Sequence, residues 1–342
     1  MQFHPVPLGQ AAGKILGHNI ARHNGTRLMR KGKPLTDADI TLLREEGRAT
    51  IYVAELEQGD VGEDETARRV AAMIMGRGLR SMGAAGGRVN LLSTTLGLLR
   101  ANAGLVHAIN AVSDGAVTVA TLANHTVASP KQITVTIKVI PYAVPVTAIE
   151  EVRQICGLHP VVHVDEFPSR RVSLILGGSP GARERLLHDF DSGVRSRVEG
   201  CGSHLTAVEF VSQETEGDEV VLAQMLETCR DRGDGLVILA GDTAIMDRYD
   251  LIPRAIERAH GDIAVYGAPV DPGNLLLIGY LGHMPILGAP GCVRSRKLNV
   301  VDYVLPRLLA GDRLTRRDIV SLGVGGLLEE IHERGMRRDM SL

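Results

Sequence analysis

The sequence predicts an α/β protein whose second half is a mainly parallel sheet covered by helices, preceded by a mixed α+β first half. Three observations carry that expectation. Between about residues 172 and 310, short β-branched apolar runs alternate with longer helical patterns, the signature of βαβ units. Those runs lack polar alternation, as strands buried on both faces do. The first half shows no such regular repeat.

In chain order, "LGQAAGKILGHNIA" and "DADITLLREEG" read as helices and "ATIYVAEL" as a strand. "DETARRVAAMIMGRGL" reads as an amphipathic helix opened by acidic residues, which suit a helix start, and "KQITVTIKVI" as a second strand. His159, Pro160 and Pro168 flank a polar connection between "IPYAVP" and "RRVSLIL", which places a domain boundary near residue 165. Beyond it, strands in "RRVSLIL", "LTAVEFVS", "GLVILAG" and "DIAVYGAPV" alternate with helices in "ARERLLHDFDSGVRSRVEG", "DEVVLAQMLETCRDRG" and "DLIPRAIERAHG". The expected domains are a mixed α+β unit at 1–165, an α/β unit at 166–311 and a glycine-interrupted helical tail at 312–342.

Composition narrows the function. With 44% hydrophobic and 23% charged residues over 342 positions, the chain can build sizeable cores. Aromatics make up 3% with no Trp, which leaves little material for base-stacking platforms, and the net charge of -2 offers no phosphate-backbone footprint, so nucleic acid is not expected as a partner. No apolar run reaches the roughly 18 residues that span a bilayer, and the N-terminus lacks a signal-peptide pattern. No membrane partner and a cytoplasmic location are therefore expected. Cys156, Cys201, Cys229 and Cys292 form no CxxC pair and are expected as reduced, packed thiols. The first half is too mixed in element order to cover its apolar strands with its own helices, so a homodimer is expected.

Three loops follow strands of the second half. Gly177 and Gly178 permit close backbone approach, Ser179 can cap a helix and Pro180 suits its first position; an ordinary strand-to-helix turn and a phosphate contact are both open readings. After "GLVIL" come Gly241, Asp242, Thr243, Asp247 and Asp250. Asp250 can cap the next helix and Asp247 can serve a turn, or the two carboxylates can converge on magnesium, which binds through one or two carboxylates plus phosphate and water. After "DIAVYG", the stretch "VDPGNLLLIGYLGHMPILGAPGC" sets two Pro-Gly corners, Pro272-Gly273 and Pro290-Gly291, beside an apolar run. Pro272, Gly273 and Asn274 make a rigid corner. "LLLIGYL" and "PILG" read as a hairpin that brings the corners together as one wall of a pocket. Arg294, Ser295, Arg296 and Lys297 then open the predicted helix "SRKLNVVDYVLPRLLAG", where cations oppose the dipole unless an anion offsets them.

At these residues "RRVSLIL…GLVILAGDTAIMDRYDLIPRAI…GAPVDPGNLLLIGY…PILGAPGCVRSRKLN" resembles the molybdopterin-binding domain shared by the molybdopterin molybdotransferase and adenylyltransferase families. The first half, through "AAGKILGHNIARHNGTRLMRKGKPLTDADITLLREEG", resembles the leading segment of molybdotransferases. "GEDETARRVA", "GRVNLLSTTLGLL" and "VIPYAV" are similar to a branch often followed by a cytidylyltransferase-like nucleotide domain, to which no segment of this sequence corresponds. The resemblance implies a three-layer α/β domain, a pocket for molybdopterin or adenylylated molybdopterin at the strand ends, and magnesium. It implies that Gly241 and Thr243 fall in the strand-end glycine motif, Asp250 on the acidic position after it, and Pro290 and Gly291 on the pterin-pocket turn. Two departures stand out. Asp242 occupies a position where the family has a second glycine, and a carboxylate there repels phosphate. Cys292 replaces the Asn of the usual Pro-Gly-Asn-Pro turn and puts a thiol near the ligand, either as a soft ligand or as a packed side chain.

The expected function is molybdopterin binding in molybdenum cofactor biosynthesis, as a molybdotransferase-like transferase in molybdate insertion or in cofactor handling, with a nucleotidyltransferase or molybdoenzyme as further partner. The alternatives are a non-catalytic carrier or chaperone, which Asp242 favours, and a nucleotide pyrophosphatase-like domain, which the first half does not support.

Overall fold

A computed structural model describes residues 1–242 and 245–328 of the chain. They form two units, one of Met1–Thr95 and Leu99–Asp165, the other of Leu96–Leu98 and the chain from Glu166 onward.

In the first unit, Gln2–Pro7, Thr50–Glu55 and Ile15–Leu16 make an antiparallel sheet. The helix Asp37–Glu45 starts at a capping box in which Thr36 and Asp39 satisfy each other's amides, and its Ile40 and Leu43 join Val6, Leu16, Ile51 and Val53 in a small core. The stretch expected as one helix over "LGQAAGKILGHNIA" is instead a short turn, Leu8–Gln10, and two strands, Ile15–Leu16 and Ile20–Ala21. Its glycines decide this. Gly13 sits at φ +78°, and a side chain on Gly17 would lie 2.7 Å from the Phe3 ring and 2.9 Å from the Tyr52 carbonyl. The unit's larger sheet is antiparallel, in the order Val117–Thr121, Ile133–Val139, Arg88–Ser93, Leu79–Ala85, and smaller sheets of two and three short strands accompany it. Its core joins the sheet to the helices Glu63–Ile74, Ala103–Asn110 and Val146–Cys156 through Val70, Ile74, Leu91, Ile109, Ile137 and Ile149.

The second unit is a three-layer α/β fold. Its sheet runs His204–Ser212, Arg171–Gly178, Leu236–Gly241, Met284–Gly288, Leu277–Leu281, Asp262–Tyr266. The first four strands are parallel, and Leu277–Leu281 runs antiparallel to both of its neighbours. The sequence pattern placed Asp262–Tyr266 in the βαβ series, but only residues 267–276 separate it from the next strand, too few for a crossover helix, so it pairs antiparallel. Ile175, Val237, Leu239 and Ile286 meet Leu222, Leu226, Ala255 and Ile256 of the helices Gly217–Asp231 and Leu251–Arg258 on one face. The helix Arg183–Gly200 packs on the strands' other side through Leu186, Phe190 and Val194.

The helix expected to open at Ser295 begins later, as Val301–Ala310. Asn299 Oδ1 accepts from the Val301 amide at 3.0 Å, and Asn299 and Asp302 bond reciprocally, the Asp302 carboxylate accepting from the Asn299 amide at 2.8 Å and the Asn299 carbonyl from the Asp302 amide at 3.0 Å, which fixes the start. Gly311, at φ +101°, ends it. Of the expected tail, Arg316–Val320 is helical and Ser321–Gly323 a short turn; 329–342 lie outside the described residues. Among the described residues, no helix is long and apolar enough to cross a membrane.

Candidate ligand site at the strand ends

Register brings the expected site residues to one edge of the large sheet. Gly177 pairs with Gly241, and Leu239 pairs with Gly288, so the loops after these three parallel strands leave side by side. Leu277 lies opposite Gly288, which puts the loop carrying Pro272, Gly273 and Asn274 on the same edge as the one carrying Pro290, Gly291 and Cys292. The hairpin therefore does bring the two Pro-Gly corners together, and a shared segment ties them. The Val300 amide donates to the Pro272 carbonyl at 3.1 Å, and Asn299 Nδ2 donates to the Cys292 carbonyl at 3.4 Å. Gly273, at φ +134°, has Val300 where a side chain would go. Asn274 Nδ2 donates to the Ala268 carbonyl at 3.4 Å and closes the first corner on itself.

The floor of the edge is backbone. A side chain on Gly241 would lie 2.0 Å from the Gly177 carbonyl, so only glycine fits there. Ser179 precedes a short turn, Pro180–Ala182, with Pro180 at its first position, but its hydroxyl caps no amide, contrary to its expected role. Asp242 is not the bare carboxylate the sequence suggested. Arg185, on the helix that follows Gly178, donates to both Asp242 oxygens at 2.8 and 2.6 Å, and Asp242 with Asp189 holds that guanidinium's pKa above its usual value. Its charge is thus offset within the protein.

Asp247 and Asp250 are engaged with their own loop. Asp250 Oδ2 accepts from the amides of Met246 at 2.6 Å and Asp247 at 2.9 Å, and Asp247 Oδ1 accepts from the Tyr249 amide at 2.8 Å. Asp250 occupies the N-cap position of Leu251–Arg258, yet its side chain bonds no helix amide, which corrects the capping expectation. Asp247 Oδ2 and Asp250 Oδ1 take no part in these bonds. Among the described residues, no group of three or more His, Cys, Asp and Glu side chains gathers as a metal site. Thr243 lies outside the described residues.

The turn Gly291–Arg294 is held from beneath by Arg197, a residue the sequence reading passed over. Its guanidinium, 9% exposed, donates to the carbonyls of Val293, Ser295 and Lys297, each at 2.9 Å, and pairs with Asp302 at 2.7 Å. Gly193 on the same helix lets the turn approach, since a side chain there would meet the Val293 and Arg294 carbonyls at 2.6 and 2.5 Å. Arg294, Arg296 and Lys297 are exposed, and Ser295 Oγ accepts from the Lys297 amide at 3.1 Å. Because the long helix starts only at Val301, these cations do not oppose its dipole, which corrects that part of the expectation. Burial pushes the Cys292 thiol upward, so it is protonated at neutral pH, and the residue is half-buried where the other three cysteines are buried. Arg185 and Arg197 were legible only through their partners: a carboxylate at a strand end and a carbonyl-rich turn each require a donor.

Together the fold and this edge define an α/β protein with a glycine-floored candidate site outside the carboxyl ends of parallel strands. A family model described as a domain of unknown function, DUF8806, matches residues 5–55. No curated protein matches the sequence. Solved structures similar to it include molybdopterin biosynthesis proteins. The molybdopterin biosynthesis enzyme MoaB of Thermus thermophilus is 20% identical, with a TM-score of 0.31, over 42% of this chain and 98% of its own. The molybdopterin biosynthesis MoeA protein of Pyrococcus horikoshii is 13% identical, with a TM-score of 0.31, over 91% of this chain and 75% of its own. A molybdenum cofactor biosynthesis protein of Pyrococcus furiosus is 11% identical, with a TM-score of 0.25, over 94% of this chain and 65% of its own, just under two thirds of that relative's length.

Proposed function

We propose that the strand-end site binds a molybdopterin-type molecule and that the protein acts in molybdenum cofactor biosynthesis, in molybdate insertion or in cofactor handling. The observation that carries this reading is the convergence, on one sheet edge, of the residues that resemble the molybdopterin-binding motif: Gly177, Gly178, Gly241, Pro272, Gly273, Pro290 and Gly291. The glycines let a phosphate approach backbone amides, and the two corners form the wall beside the pterin. Arg294 and Lys297 stand at that wall as exposed cations able to meet an anion. Asp247 Oδ2 and Asp250 Oδ1 suit magnesium, an ion that takes one or two carboxylates and completes its shell with water and ligand phosphate. Its contribution when bound is to neutralise phosphate charge. The chain's own residues at this edge position and screen the ligand.

A carrier role is favoured over turnover by one observation. The Arg185–Asp242 pair occupies the strand-end position where the resemblance expects only glycine, and it narrows the space for a reacting phosphate. Mass spectrometry of small molecules copurifying from a molybdate-fed host is expected to show a pterin phosphate. A protein that copurifies with none, and retains none when molybdopterin is supplied, overturns the binding reading. Incubation with adenylylated molybdopterin and molybdate then separates release of AMP from simple retention. A homodimer belongs to this reading, and a monomer by light scattering at micromolar concentration removes it.

A further inference from the structure

The first unit contains a cavity of about 500 Å³ lined by Phe3, His18, Lys31, Glu63, Lys138 and Tyr142, within the size range of small-molecule pockets. The chain has 4 Phe, 6 Tyr and no Trp, yet three of these ten rings gather here. Phe3 stacks on Tyr52 with centroids 5.7 Å apart and on Tyr142 at 6.4 Å, while His18 meets Phe3 edge-on at 5.4 Å. Phe3 and Tyr52 nevertheless remain 43% and 46% exposed. A fold so poor in rings gains most by burying them, and these two are held at the surface instead.

They are held there by specific structure. Gly17 leaves room for the Phe3 ring, the Tyr142 hydroxyl donates to the Gly17 carbonyl at 2.8 Å, and Gly32, at φ +81°, would carry any side chain to 3.4 Å from the Tyr142 ring. The charges are uneven. Lys138 Nζ donates to the Gly86 carbonyl at 2.8 Å and lies 3.5 Å from Glu63, so it is fixed in place. The exposed Lys31 ammonium forms no hydrogen bond or ion pair among the described residues. Burial pushes the Glu63 carboxyl upward, against the pull of Lys138 and Lys31. Lys138 and Lys31 thus act on the Glu63 carboxylate beside a set of rings, with Asp64, which accepts from the Gly87 amide at 2.7 Å, as the second carboxylate nearby.

We propose that this cavity is a second ligand site, for a flat fused-ring heteroaromatic compound carrying one anionic group. The ring lies against Phe3 and His18, and the anion meets Lys31. Neither contact depends on the strand-end site of the other unit.

The test uses the whole protein and pterin-6-carboxylate as a fluorescent probe. Saturable quenching is expected, with cyclohexanecarboxylate, which has the charge without the flat ring, failing to compete. Phe3→Leu and Lys31→Gln are each expected to weaken binding about tenfold, as losing one stacking contact or one charge-assisted bond does. Lys31→Arg should restore the charge and most of the affinity, and Val221→Ala, an exposed side chain on the helix Gly217–Asp231 of the other unit, should change nothing. The proposal is overturned by an absence of saturable quenching, by affinity that stays within about twofold of the parent in both weakening variants, or by equal displacement with cyclohexanecarboxylate.

Discussion

In the strand Arg171–Gly178 every residue after the first is buried, whereas in Ile133–Val139 of the first unit buried positions are broken by exposed and half-exposed ones. A strand buried on both faces can offer a ligand only its end. The second unit accordingly gathers its candidate chemistry in loops at one edge of its sheet. The first unit, with a partly open antiparallel sheet and several strands of two or three residues, assembles its cavity from side chains as distant in sequence as Phe3 and Tyr142. One site follows from topology; the other follows from individual contacts.

That contrast can be broken most severely at Arg197. Arg197→Ala leaves three carbonyls and Asp302 without their nearly buried donor, and a loss of about 3 kcal/mol is expected in denaturant unfolding. Hydrogen exchange should rise around residues 293–302 and stay unchanged in the first unit; an equal rise in both would show that the units do not respond separately.

Next comes a set of glycine substitutions. Gly241→Ala forces a methyl onto the Gly177 carbonyl and should cost about 2 kcal/mol, the range of overpacking, together with ligand retention. Gly17→Ala presses on the ring of Phe3, which can shift, and more loosely, at 2.9 Å, on the Tyr52 carbonyl, so a smaller cost of about 1 kcal/mol is expected there. Gly291→Ala meets nothing within 4 Å and should be nearly silent in thermal unfolding. A reversed order would remove the claim that the strand end is the more constrained of the two sites.

Acid sharpens the comparison further. Burial raises the Asp318 carboxyl, but bonds from Thr315 and Arg307 outweigh it and bring the group down to about 2. A folded pKa below the unfolded value stabilises the protein above about pH 4, and that stabilisation, about 2 kcal/mol, is lost as pH falls towards 2. Asp318→Asn should flatten this part of the second unit's stability profile between pH 4 and 2. A profile identical to the parent's refutes the assignment.

The smallest effect concerns Asp250. Asp250→Ala removes the acceptor for the Met246 and Asp247 amides and should cost about 1 kcal/mol, while Asp250→Asn can keep those bonds. If magnesium binds here, the Asn protein retains its fold yet loses the magnesium-dependent gain in ligand affinity. Calorimetric titration with and without magnesium decides it, and an Asn protein that binds like the parent in both conditions sinks the metal assignment.

These expectations rest on features of unequal legibility. "RRVSLIL" and "GLVILAG" announce buried strands because parallel pairing imposes an unbroken apolar run, and the Pro-Gly corners announce turns because their backbone chemistry is local. The stretch after Leu8 misled because apolar spacing suggested a helix, while the left-handed Gly13 and the crowded Gly17 answer to contacts with Phe3 and Tyr52 that spacing does not encode. The late start of Val301–Ala310 turns on the reciprocal bonds of Asn299 and Asp302, and the direction of Asp262–Tyr266 on the shortness of the loop that follows. Arg185 and Arg197 read as ordinary helix-surface charges until their acceptors are known. The first-unit cavity left no trace in any window of sequence, since its lining spans residues 1 to 142.

The excursion of Leu96–Leu98 into the second unit has a consequence for how the chain can be divided. Leu98 is fully buried, and the Leu96 carbonyl accepts from the Phe167 amide at 3.2 Å. A gene split at codon 165 would therefore release a C-terminal half missing a segment of its own, with the Phe167 amide deprived of the Leu96 carbonyl. The second unit is not one continuous stretch of chain, so its parts are better suited to being inherited together, or to complementing each other when coexpressed, than to being shuffled as an independent module.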